Sequence, residues 1–146
     1  MSDVIPSKED WGNFESDLDK KYAFQIFYGK SNEEMESEYL KNVIGRTTDL
    51  KFMPSKPFLY YMMGFEKFVR KYKNHKLEAP DIANCFITLV EEKLRDNPGH
   101  ILPIINNLLE TVEDIANTQS EWRADKDIYG SFQDRYKSIL NLLSKI

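Results

Sequence analysis

Cysteine, histidine and glycine are scarce in this chain of 146 residues. The one cysteine, Cys85, excludes an internal disulfide bond and any CxxC metal or redox site. The two histidines, His75 and His100, do not occur in HExxH or ExxH spacing, which argues against a helical zinc hydrolase and a di-iron bundle. The six glycines are isolated from one another, so there is no P-loop and no GxGxxG motif. We therefore expect neither a metal nor a cofactor.

The sequence also lacks a hydrophobic run that is long enough to cross a membrane. The longest run, residues 58–65, spans only about two helical turns, whereas a membrane helix needs about 20 apolar residues. The first residues are acidic and do not have the basic start and apolar stretch of a signal peptide. Hydrophobic residues make up 41% and charged residues 30%, which is typical of a globular protein. We expect a cytoplasmic protein with no membrane partner.

Helical periodicity is present along most of the chain, and no alternating strand pattern is found. The sequence predicts an all-α fold, a single-domain bundle of about six amphipathic helices around a central apolar helix at about 55–74. The domain is expected to cover residues 7–146, after a short N-terminal tail at 1–6. The residues Ile101, Ile105, Leu108, Val112 and Ile115 repeat at intervals of 4, 3, 4 and 3, so they form the apolar face of one helix.

The first two helices can be bounded from capping residues. Ser7 is the expected N-cap of a helix that runs to about Tyr28. Ser31 and Glu34 form a capping box for a second helix, which is expected to end at Gly45. The apolar stripe of the first helix would be Trp11, Phe14, Leu18, Tyr22 and Ile26, and that of the second would be Met35, Tyr39 and Val43.

The central helix is apolar on two sides at its start and basic at its end. One interpretation is a helix with its first half buried in the core and its end in solvent. The other is a ligand pocket lined by the aromatic and methionine side chains of that first half, since methionine also lines adaptable binding surfaces. Gly64 lowers helix propensity, so we expect it to permit the close approach of another helix. The candidate pocket residues are Tyr60, Tyr61, Met62 and Met63.

The net charge of −4 is unevenly distributed. Residues 1–45 carry five basic and ten acidic side chains, for a net charge of −5. Residues 46–76 carry eight basic and two acidic side chains, for a net charge of +6. Residues 77–146 carry seven basic and twelve acidic side chains, for a net charge of −5. The basic segment 46–76 is either neutralised by acidic neighbours or exposed as a nucleic-acid surface. We consider nucleic-acid binding the less favoured interpretation, because no stacking motif or helix-turn-helix pattern accompanies the charge.

Two acidic stretches are candidate binding sites, one for calcium and one for a protein. Residues 125–136 resemble the start of a calcium loop, but Tyr129 and Tyr136 stand where oxygen ligands are needed, so we expect no calcium site. The second stretch is a run of glutamates on the second predicted helix, which is either a solvated face or a docking surface for a basic protein. Its members are Glu33, Glu34, Glu36 and Glu38.

Function is weakly specified by these patterns. The leading hypothesis is a small acidic helical protein that acts by binding another, basic protein, as the immunity proteins of nuclease toxins do; this is an analogy of class and rests on no shared motif. One alternative is a helical bundle with an apolar small-molecule pocket, either a binding protein or an enzyme. The other is nucleic-acid binding through 46–76. No catalytic motif is found, which favours a protein that is not an enzyme.

Overall fold

The computed structural model describes residues 4–146, which form α-helices and short 3-10 turns with no β-strand among them. The all-α prediction is confirmed. Within this part of the chain, no helix is long and apolar enough to cross a membrane. The α-helices are α1 (Leu18–Phe27), α2 (Asn32–Lys41), α3 (Val43–Phe52), α4 (Ser55–Lys71), α5 (Ala79–Asp96), α6 (Pro98–Ile101), α7 (Ile105–Asn117), α8 (Lys126–Tyr129) and α9 (Phe132–Ser144).

The contacts between residues divide the chain into two compact units. Unit 1 is Met1–Phe65 and unit 2 is Glu66–Ile146, so the boundary lies inside α4. The proposed single domain over residues 7–146 stays a prediction.

The first helix begins much later than predicted. Ser7 and Asp10 do exchange the expected capping hydrogen bonds, but they close only a 3-10 turn at Glu9–Trp11. The chain then turns at Gly12, whose φ of 59° favours glycine, and Asp17 caps α1 by accepting a hydrogen bond from the Lys20 amide. The predicted stripe was therefore wrong in part: Trp11 and Phe14 are buried, Leu18 and Tyr22 are exposed, and Ile26 is only partly buried.

The second helix was also predicted with the wrong end. The Ser31–Glu34 capping box is present, and Met35 and Tyr39 are buried as expected. However, α2 ends at Lys41, and Asn42 starts α3 by accepting a hydrogen bond from the Gly45 amide at 2.9 Å. A Cβ atom on Gly45 would lie 2.5 Å from the Asn42 side chain, so Gly45 is needed beneath this cap rather than at a helix end. Seven helices of ten residues or more result, which fits the predicted bundle of about six.

The first half of α4 is tied to α1 and α2 within unit 1. The Tyr61 hydroxyl donates a hydrogen bond to the Phe27 carbonyl at 2.7 Å. Asn32 donates its side-chain amide to the Tyr60 carbonyl at 3.1 Å. Gly64 lies directly under Asn32, where a Cβ atom would be 2.0 Å from the Asn32 Cγ atom. The prediction that Gly64 permits a close helix approach is confirmed.

Unit 2 is built from α5, α7 and α9, which contact one another. The predicted apolar stripe of residues 101–115 is buried as expected, but it does not lie on one helix, because Ile101 ends α6 and α7 begins only at Ile105. Ser131 caps α9 by accepting from the Asp134 amide. The turn before α9 depends on Gln119, which is 6% exposed. Its side chain donates to the Ala124 and Gly130 carbonyls and accepts from the Phe132 amide. A single buried amide therefore satisfies three backbone groups of the loop.

Candidate binding surface

The four glutamates of α2 lie on the outer face and the flanks of the helix, outside its buried inner face. Glu33 and Glu34 are exposed, and Glu36 and Glu38 are partly exposed. Met35, on the inner face, is fully buried. The short helix therefore has an apolar inner face and an acidic outer face.

These glutamates differ in what their carboxylates contact. Glu34 accepts a hydrogen bond from the Ser31 backbone N–H at 2.9 Å, and this bond lowers its pKa. Glu38 lies 3.6 Å from the Lys41 ammonium. Glu34 is thus part of the helix cap, and a charge change there weakens the cap of α2 as well as changing its surface.

Two of the four candidate pocket residues of α4 are buried, and the other two are partly exposed. Tyr61 and Met62 are fully buried, whereas Tyr60 and Met63 are partly exposed. Burial raises the pKa of the Tyr61 hydroxyl, which is held by the carbonyl of Phe27. These four residues are not in the linings of the polar cavities of about 330 Å³ and about 250 Å³. The small-molecule pocket stays a prediction.

The basic end of α4 contacts acidic groups inside unit 2. Arg70 makes a two-bonded contact with the Glu66 carboxylate, at 2.5 and 3.0 Å. Lys73 lies 3.5 Å from Asp114 and 3.3 Å from Glu121. Lys73 is therefore paired with carboxylates from outside the basic segment 46–76, as the neutralised interpretation requires, whereas Arg70 pairs with a carboxylate of the segment itself.

Glu66 lies at a polar cavity of about 330 Å³ in unit 2. It is 5% exposed, and besides Arg70 it accepts a hydrogen bond from the Thr111 hydroxyl at 2.6 Å. Asn107 and Glu110 are also among the lining residues. Both carboxylate oxygens of Glu66 thus have donors, so the contact joins α4 to α7.

A second cavity, of about 250 Å³, lies between α1 and α3 in unit 1. Its lining includes Asp19 and Tyr22 of α1 and Arg46, Asp49 and Phe52 of α3. Arg46 and Asp49 form an ion pair with 2.9 Å between Nε and Oδ2, and their side chains are only 10% and 6% exposed. The Arg46 guanidinium also lies over the Tyr22 ring, 5.9 Å from its centre. We call this cavity the α1/α3 cleft.

The neighbours of Asp49 offset only part of the free-energy cost of burying its carboxylate. Burial raises the pKa of its carboxyl to about 6, although the charge of Arg46 lowers it. Asp19 opposes Arg46 by raising the same pKa. The free-energy cost of removing the Asp49 carboxylate from water is therefore larger than the stabilisation that it gains from Arg46, its one cationic neighbour.

The two tyrosines of the stretch that resembles a calcium loop donate hydrogen bonds to carboxylates. Tyr129 donates to Asp81 at 2.7 Å, which raises its pKa to about 12, and Tyr136 donates to Glu113. Cys85 is buried. Across residues 4–146, no group of three His, Cys, Asp or Glu side chains is placed to hold a metal ion.

Comparison with known proteins adds no relative, because neither a family model, nor a curated protein, nor a solved structure matches the chain. The α1/α3 cleft was missed at the sequence level because α3 was missed. Once a helix is drawn over 43–52, Arg46 and Asp49 fall at i and i+3 on one face, which is the available signal.

Proposed function

We propose that this protein acts by binding a basic protein partner through the acidic outer face of α2 in unit 1. The observation that supports the proposal is the combination of a firmly anchored helix with outward carboxylates. Met35 and Tyr39 are buried, the N-terminus is capped by Ser31, and Asn32 is bonded to Tyr60. A fixed acidic surface attracts a basic partner and increases the association rate.

The type of action we propose is neutralisation of the partner, as an inhibitor of the immunity-protein class covers a basic active site. Counting charged side chains over residues 4–65, eight are basic and ten are acidic, so the described part of unit 1 is acidic overall. We place this binding in the cytoplasm, because a lone buried cysteine needs no oxidising compartment.

The test is a charge reversal on α2 that spares its cap. Glu33→Lys with Glu38→Lys changes the charge by +4 and leaves Ser31 and Glu34 in place. Tagged wild-type chain is used to isolate partners from its host, and their identity and amount are measured by mass spectrometry. We expect one enriched basic protein, with at least tenfold less recovered by the variant.

The matched control is Lys67→Glu with Lys76→Glu, which changes the charge by −4 at two exposed positions of unit 2. This variant should recover the basic protein as well as wild type does. Loss of recovery with the control, but not with the α2 variant, would contradict the proposal and favour the basic segment 46–76 as the interface.

A further inference from the structure

The α1/α3 cleft has the size of a site for one side chain. Its volume of about 250 Å³ is below the range of about 300–1,000 Å³ that small-molecule pockets occupy. Two of its walls are aromatic residues that remain in solvent: Tyr22 is 53% exposed and Phe52 is 39% exposed. Large aromatic side chains that stay exposed beside a cleft are typical of protein-binding surfaces.

The aromatic walls already attract cations from this chain. Arg46 lies over the Tyr22 ring, and the Lys51 ammonium lies 5.4 Å from the centre of the Phe52 ring. Each ring has two faces, and a cation is attracted to the electron-rich face of an aromatic ring. Because Tyr22 and Phe52 are 53% and 39% exposed, each ring keeps accessible surface for a further cation beside the cleft.

The charge of the lining favours the same class of ligand. Asp19, Arg46 and Asp49 sum to −1, and the Arg46–Asp49 pair accounts for one charge of each sign. Asp19 is exposed and forms no ion pair within the described residues. Its carboxylate is therefore the available acceptor at the edge of the cleft.

A cation bound in the cleft would also stabilise the ionised carboxylate of the Arg46–Asp49 pair. Asp49 is 5% exposed and has Arg46 as its charged partner, so its carboxylate is not fully compensated. A positive group arriving above the pair would stabilise the ionised carboxylate at short range, where water screens charge least.

We propose that the α1/α3 cleft receives an arginine side chain of the basic partner, held between the aromatic walls and the carboxylate of Asp19. Arginine fits better than lysine because its planar guanidinium stacks on aromatic rings and binds carboxylates through two parallel hydrogen bonds. This site deepens the function proposed above and rests on it. The acidic face of α2 attracts the partner, and the cleft anchors it.

The probe is a tetra-arginine peptide with blocked ends, added to the ¹⁵N-labelled full chain at low ionic strength. Tetralysine and tetraglutamate peptides are the controls. We expect the amide signals of Gly45 and Thr48, which line the cleft, to shift with tetra-arginine. Tetralysine should bind several times more weakly, and tetraglutamate should not bind. Equal affinity for the arginine and lysine peptides would overturn the choice of arginine.

The variant Asp19→Asn removes the acceptor, and Glu15→Gln is its control. Glu15 is an exposed carboxylate of unit 1 that does not line the cleft, so this change removes the same charge elsewhere. We expect Asp19→Asn to weaken tetra-arginine binding about fivefold, and Glu15→Gln to weaken it less than twofold. Equal losses in the two variants would overturn the inference, since the peptide would then respond to net charge alone.

The remaining outcomes separate this inference from the proposed function. If tetra-arginine shifts only the α2 signals near Glu33, the cleft is not the anchor, and the acidic face still binds basic partners. If tetraglutamate binds more tightly than tetra-arginine, both the inference and the proposed function are wrong. Circular dichroism of each variant verifies that the helices remain folded.

Discussion

Asp49 in unit 1 and Glu66 in unit 2 are each 5% exposed, yet their surroundings differ greatly. Glu66 receives two hydrogen bonds from Arg70 and one from Thr111, so it ties two helices together. Asp49 has one charged partner, Arg46, on its own helix, and lies in a cleft with exposed aromatic walls. Equal burial therefore does not imply equal compensation: the fully bonded carboxylate of Glu66 ties two helices together, whereas that of Asp49 keeps part of its desolvation cost.

The largest expected effect is the loss of the Glu66 contact. Glu66→Ala should lower the free energy of unfolding by about 2–3 kcal/mol at pH 7, because it leaves the buried Thr111 hydroxyl without its acceptor. Asp49→Asn should leave it unchanged or raise it, because ionising the buried Asp49 carboxyl costs more than its contact with Arg46 returns. Urea unfolding of both variants measures these values, and equal losses would contradict the comparison.

The pH dependence of stability should show the cost of Asp49 directly. Its pKa is about 6 in the folded chain and about 3.9 in an unfolded one, so the folded state binds the proton more tightly. Wild type should therefore lose about 2–3 kcal/mol relative to Asp49→Asn as the pH rises from about 4 to about 6. The charged neighbours Arg46 and Asp19 are present in both proteins. A stability difference that stays constant over this range would contradict the assignment.

One glycine in each unit allows a comparison of how closely the surrounding atoms are packed. Gly64→Ala places a Cβ atom 2.0 Å from Asn32 Cγ, so we expect a loss of about 1–3 kcal/mol despite the better helix propensity of alanine. Gly99 in unit 2 has no atom within 4 Å of the added Cβ, so Gly99→Ala should leave thermal stability unchanged or raise it. A neutral Gly64→Ala variant would show that α2 and α4 do not approach as closely as described.

The smallest effect separates the cap of α2 from its surface. Glu34→Gln weakens the bond to the Ser31 amide and should cost about 0.5–1 kcal/mol. Glu33→Gln, its exposed neighbour, should cost less than about 0.5 kcal/mol. Thermal melts of the two variants at equal pH and salt provide the test. A larger loss at Glu33 would reverse the roles assigned to these two residues.

The predictable part of this molecule is the part set by periodicity. The apolar stripe of α7 and the capping box of α2 were found because each depends on residues a few positions apart. The start of α1 and the existence of α3 were missed, because Asp17 and Asn42 act as caps through local geometry that competes with Ser7 and Gly45. The α1/α3 cleft and the contact of Glu66 with Thr111 need three-dimensional neighbours, which spacing along one helix does not specify.

The central claim is that the α1/α3 cleft contains a buried carboxylate, Asp49, whose charge is only partly balanced by Arg46, and that a bound basic ligand stabilises its ionised form. The most direct measurement is the ¹³C signal of the Asp49 carboxyl, followed against pH with and without the tetra-arginine peptide. The account predicts a midpoint near pH 6 in the free chain and a clearly lower midpoint with the peptide, because a bound cation favours the ionised form. A midpoint near 4 in the free chain, or one that the peptide leaves unchanged, would contradict it.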